Sequence, residues 1–172
     1  MDEIKIVEYK ADWPCNFLRE KCILEKLLAP EYILAIEHFG STAIPGLAAK
    51  PIIDILIAVP SVELASKHLI SKLTEIDYVF WAENPEKDKL FFVKGMPPYG
   101  EVRTHHVHVV ETLSAMEQRL KFRDYLISNS DERDSYATLK RKLATEHSGD
   151  REAYTDAKSS FVSRILQLAE NI

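Results

Sequence analysis

Three features of this sequence can do chemistry: a carboxylate inside an apolar run, two imidazoles two residues apart, and a Gly-Ser turn. Asp54 lies in Ile52-Ile53-Asp54-Ile55-Leu56, where an unpaired carboxylate costs several kcal/mol and needs a metal, a cation or a hydrogen-bond donor. His106 and His108 flank Val107. On a strand, i and i+2 share a face, so these imidazoles point together and can chelate a transition metal or hold phosphate oxygens. His105 falls on the opposite face. The turn Gly40-Ser41-Thr42 offers close backbone approach and two hydroxyls, a cradle for phosphate oxygens that Lys50 can join. Glu37 and His38, just before it, can complete a ligand set. Arg103 stands near the histidine pair. Each feature also has a plain alternative: an ordinary turn, an edge strand with two exposed histidines, a surface lysine.

These residues need a sheet to bring them together, and residues 1–111 have its texture. Strands are expected at about 4–9, 32–39, 52–59, 78–82, 89–94 and 105–111. The 52–59 run barely alternates, as for a strand covered on both faces. Asp12 begins a helix to about residue 29, with Phe17, Leu24 and Leu28 as its apolar stripe, and Ser61 caps a helix to about residue 74. Beyond Glu111 the pattern is helical. Ser114 and Glu117 form a capping box for a helix to 128. A second helix spans 131–147, and a last one starts at Asp150 and runs to the end. The helical third carries Arg123, Tyr125, Lys140, Tyr154 and Lys158, most of them expected on solvated faces, with Tyr154 and Lys158 sharing one face at i, i+4. The fold class expected is α/β (α+β), a mixed sheet flanked by helices. A single domain over 1–172 has a sheet core in 1–113 and a helical element in 114–172.

Composition narrows the function. The 172 residues carry 22 basic and 27 acidic side chains, a net charge of −5. Residues 1–113 hold 12 basic and 17 acidic residues and the remainder 10 of each, so no segment has the basic excess of a chain that tracks a nucleic-acid backbone. No stretch approaches the ~20 apolar residues of a membrane span, and the first residues lack a signal-peptide pattern. A cytoplasmic protein with a small-molecule partner, no nucleic acid and no membrane is expected, its oligomeric state open. Cys15 and Cys22 are spaced like neither a zinc nor a redox pair and are expected as free thiols.

Residues 37–59, EHFGSTAIPGLAAKPIIDILIAV, resemble the signature of the GrpB family of bacterial proteins. The resemblance continues through Arg103–Val109, Phe122–Leu126 and Asp150–Lys158 and covers nearly the whole chain. It implies the nucleotidyltransferase superfold, whose pattern is Gly-Ser, a spacer, then carboxylate–apolar–carboxylate on the next strand. Gly40-Ser41 and Asp54 match that pattern, but Leu56 occupies the second carboxylate position. By this resemblance the expected activity is metal-dependent transfer of a nucleotidyl group from a nucleoside triphosphate to a small acceptor, with a possible link to coenzyme A metabolism. Mg²⁺ or Mn²⁺ would be held by Asp54, His106, His108 and Glu37. Asp54, His106 and His108 would act in catalysis, Gly40, Ser41, Thr42 and Lys50 would bind phosphate, and His38, Arg103, Arg123, Tyr154 and Lys158 would face the substrate. Two alternatives stand beside it: a nucleotide- or coenzyme A-binding module without transfer, and a phosphohydrolase with a transition metal at the histidine pair.

Overall fold

A computed structural model describes residues 4–83 and 89–171. Helix α1 (Trp13–Leu27) leads to β1 (Ala35–Phe39), and a long turn leads on to β2 (Ile53–Val59). Helix α2 (Val62–Thr74) and strands β3 (Tyr78–Phe80), β4 (Leu90–Lys94) and β5 (His105–Glu111) follow. The chain closes with α3 (Leu113–Ser128), α4 (Ser130–Glu146), α5 (Arg151–Asp156) and α6 (Ser159–Glu170). The five strands form one mixed sheet in the order β1-β2-β5-β4-β3, with β2 and β5 parallel and the other pairs antiparallel. This is the mixed sheet with flanking helices and a helical C-terminal element that the sequence pattern predicts.

The missing alternation in β2 has a direct cause. One face (Ile53, Ile55, Ile57 and Val59) packs with α1 and α2 residues such as Leu24 and Leu69. On the other face, Leu56 and Ala58 pack with Met116 of α3 and Val110 of β5. Asp54 shares the face of Leu56 and Ala58 but precedes that apolar patch. On the α1 side, a buried Glu20 accepts hydrogen bonds from the Tyr78 hydroxyl (3.0 Å) and Lys94 Nζ (2.8 Å), tying α1 to the far strands.

Several local expectations are corrected. Residues 4–9 are not a strand of the sheet: only Val7 pairs, through two 2.9 Å bonds with Ala49. Ile4 and Ile6 pack instead against Leu143 and Tyr154 of the helical element, which draws the segment away from the sheet. Residues 30–32 form a 3₁₀ turn, so β1 starts at Ala35. Asp12 precedes α1 without a side-chain cap bond. The N-cap of α3 is Thr112, whose hydroxyl accepts from Ala115 N, two residues before the expected Ser114. The last helix is broken at Ala157–Lys158. The break lets α6 carry Ile165 into a cluster with Leu126 and Tyr136, while α5 keeps Tyr154 buried elsewhere.

Candidate functional site

The parallel register of β2 and β5 sets Asp54 opposite His106 and Leu56 opposite His108, so one sheet face carries Asp54, His106 and His108 together. His106 Nδ1 donates to Asp54 Oδ1 at 3.1 Å. One potential ligand atom from each of the three residues lies within 4.8 Å of the others. The Phe91 ring packs against both imidazoles, with centroids 5.1 Å from His106 and 4.6 Å from His108, and Phe39 meets His108 edge-on. His106 Nε2 is buried and has no hydrogen-bond partner among the described residues. Burial alone would raise the Asp54 carboxyl pKa. The hydrogen bond from His106 and the nearby His106, His108 and Lys50 outweigh it and hold the carboxyl below its ordinary range.

Gly40 has φ 71°, and a Cβ there would collide with the Asp54 carboxylate, so the glycine makes room for that side chain. Ser41 follows at the cleft surface and accepts a hydrogen bond from Lys140 Nζ at 3.0 Å. Thr42 turns the other way. It is 1% exposed, donates to Ile52 O at 3.0 Å and accepts from His38 Nε2 at 3.1 Å. His38 stacks on Phe17 (4.7 Å between centroids), and burial pushes its pKa down to about 4, so it is a neutral bolt beneath the turn. Glu37 and Arg123 are also placed away from the cleft lining. Arg123 Nη1 donates to Glu37 Oε2 (3.3 Å) and His38 O (2.7 Å), clamping β1 to α3. Thr42, His38, Glu37 and Arg123 therefore brace the turn and β1 rather than line the cleft. The turn itself is anchored by Ile44 and Leu47, both fully buried against the helical element.

Across a cleft of about 980 Å³ stands a cationic wall. Lys140 of α4 is 2% exposed, with its ammonium 4.7 Å from the Tyr136 ring centroid. Lys50 and Lys158 both lie over Tyr154, at 4.9 and 4.3 Å. Burial, then repulsion from Lys158 and Lys50, pushes Lys140 down to about 7. Lys50 is lowered to about 8 by burial and by neighbouring cations, and Lys158 to about 8 by burial. Arg103 reaches the cleft beside Trp81, 6.0 Å from its ring centroid, and Arg151 also lines it. Gly40, Ser41, Lys50, Asp54, Arg103, His106, His108, Tyr154 and Lys158 thus meet around one space, as the sequence reading groups them. That reading did not single out Arg151 or Trp81 and left Lys140 among solvated side chains. The signal for Lys140 was present: with Tyr136, Ala137 and Leu143 it occupies the buried stripe of α4.

Residues 3–168 match the family model described as GrpB protein. A UPF0157 protein of Pseudomonas aeruginosa is 46% identical over 165 residues, spanning 96% of this chain and 67% of that protein. The glutamate-rich protein GrpB of Alkalihalophilus pseudofirmus is 36% identical, over 95% of this chain and 94% of that protein. The crystal structure of the conserved protein GrpB from Enterococcus faecalis superposes with a TM-score of 0.83 at 34% identity, covering 96% of each chain. A protein of Mycolicibacterium paratuberculosis named dephospho-CoA kinase is 28% identical over 177 residues, and the match spans only 43% of that protein.

Proposed function

The chain belongs to the GrpB family, and from that premise we propose that its cleft binds a nucleotide-class small molecule and transfers a nucleotidyl group to a small acceptor. The observation that carries this reading is the facing of two chemically opposite walls: Asp54 with two imidazoles on the sheet, and Lys50, Lys140 and Lys158 on the other side. In a nucleoside triphosphate, the phosphates meet the lysines and Ser41 through charge-assisted hydrogen bonds. The acceptor oxygen attacks the α-phosphorus, its proton passes to water, the bond to the β-phosphate breaks, and pyrophosphate leaves. Similarity to part of a protein named dephospho-CoA kinase makes coenzyme A species natural acceptors or ligands to try.

The donors clustered on the sheet wall do not suit Mg²⁺. Mg²⁺ prefers an octahedral shell of oxygens, whereas the clustered residues supply one carboxylate and two imidazoles.

A second reading, a nucleotide- or coenzyme A-binding module without transfer, is favoured by Leu56. Its side chain is fully buried in the apolar patch under α3, so the usual second carboxylate has no place there. The two readings separate on incubation with α-labelled triphosphates and candidate acceptors, including coenzyme A precursors. Transfer of label with release of pyrophosphate supports the enzyme. Saturable binding with no transfer to any acceptor supports the module.

A further inference from the structure

We propose that Asp54, His106 and His108 form a three-ligand site for an imidazole-preferring divalent transition metal ion of the zinc class, in place of the Mg²⁺ implied by the superfold resemblance. It refines the reading of the same cleft given above and rests on that cleft being the working site. Ligand atoms held 2.0–2.2 Å from a common ion at tetrahedral or octahedral angles lie ~3.0–3.5 Å apart. The Asp54 Oδ1 to His106 Nδ1 distance of 3.1 Å falls in that range. The third donor belongs to the same 4.8 Å group.

The chemistry of the donors selects the ion. Two imidazole nitrogens and one carboxylate oxygen suit zinc, iron(II), cobalt or nickel better than a hard ion that dehydrates reluctantly. Neither neighbouring strand position adds a carboxylate to the set. Leu56 is buried among Met116, Ala58 and Val110, and Glu37, its cross-strand neighbour on β1, is engaged by Arg123. The aromatic shell of Phe91 and Phe39 holds the imidazoles against rotation and limits water at their backs. Three protein ligands leave coordination positions toward the cleft, where Ser41 and the lysines stand, for water or a phosphate oxygen.

The test uses the full chain with Cys15→Ser and Cys22→Ser, because both thiols are exposed and bind zinc unspecifically. After chelator treatment and dialysis, Zn²⁺, Co²⁺ and Mg²⁺ are titrated separately by calorimetry with no nucleotide present. One equivalent of Zn²⁺ or Co²⁺ binding at least tenfold more tightly than Mg²⁺ is expected, with a visible Co²⁺ spectrum showing nitrogen ligation. His108→Ala and Asp54→Asn, checked for folding by near-ultraviolet circular dichroism, should each weaken Zn²⁺ at least tenfold, about 1.4 kcal/mol. Mg²⁺ binding as tightly as Zn²⁺, or Zn²⁺ binding unchanged in folded variants, overturns the proposal. Because the Co²⁺ spectrum is read on the unsubstituted site, a cobalt complex without nitrogen ligation overturns it even if every variant misfolds. ATP binding to the metal-free protein is measured in parallel. Zinc binding with no ATP binding overturns the nucleotide reading alone, and ATP binding without zinc selectivity overturns the metal proposal alone.

Discussion

The two walls of the cleft face one space with opposite chemistry and opposite construction. The sheet wall is assembled by strand register: three side chains from two paired strands fall on one face, and Asp54 is stabilised in its charged form by His106. The facing wall, Lys140 and Lys158 of the helical element with Lys50 from the turn before β2, gathers cations whose own burial opposes their charge, Lys140 pushed to about 7 and Lys50 and Lys158 to about 8. The Asp54 carboxylate is therefore stabilised as an anion within the chain, while burial makes the facing lysines hold their protons less firmly than free ammoniums. On the proposed function, a polyanion would meet the second wall and chemistry would take place at the first.

Substitutions at the sheet wall should separate turnover from binding. If transfer occurs, Asp54→Asn is expected to lower turnover by a factor on the order of 10³ with nucleotide affinity nearly unchanged, measured as pyrophosphate release beside calorimetry. An equal fall in both would dissolve the distinction between the walls. Leu56→Asp sharpens it differently. The position is fully buried, so the new carboxylate should cost about 3 kcal/mol or more in chemical denaturation instead of restoring a metal pair.

The lysines make the ligand-free protein respond to pH in an unusual direction. Lys140 has a folded pKa of about 7 against an ordinary 10.5. Between those values the unfolded chain binds more protons, so stability rises with pH from about 7 toward 10. The urea midpoint should climb across that window in the wild type and less steeply in Lys140→Met, where Lys50 and Lys158, lowered to about 8, keep their own share. Inorganic triphosphate affinity should move the opposite way, falling as the buried ammoniums lose their protons. Below neutrality His38 adds its own slope. Its folded pKa of about 4 lies under the ordinary 6.5, so stability falls as pH drops through that interval, and His38→Gln should remove the slope. Gly40→Ala is the smallest of these perturbations. It forces an alanine into φ 71° and a Cβ against Asp54, costing about 1–2 kcal/mol by denaturation and loosening the Asp54–His106 pair.

The sheet wall was legible in the sequence because its information is local. A carboxylate in an apolar run, two histidines at strand spacing and a Gly-Ser turn each declare a face or a need within a few residues. The positions of its strands followed from the same patterns, apart from residues 4–9, whose apolar side chains serve the helical element. The facing wall was less legible because its contacts are remote: Lys140 meets Ser41 99 residues away. A lysine on a helix is ordinarily solvated, and only its place in the stripe of Tyr136, Ala137 and Leu143 marks this one as buried. Glu37, His38, Thr42 and Arg123 show the reverse placement. Their proximity to the motif is real, yet strand alternation and the Arg123 clamp direct them behind the site.

The most direct test of the two-wall account is calorimetric titration of a non-hydrolysable ATP analogue into metal-free wild type, Lys140→Met and Asp54→Asn at pH 6.5, where the lysines are protonated. The account predicts at least a tenfold loss of affinity in Lys140→Met, about 1.4 kcal/mol, and a change of no more than about twofold in Asp54→Asn. Unaltered affinity in Lys140→Met, or an equal loss in both variants, would contradict it.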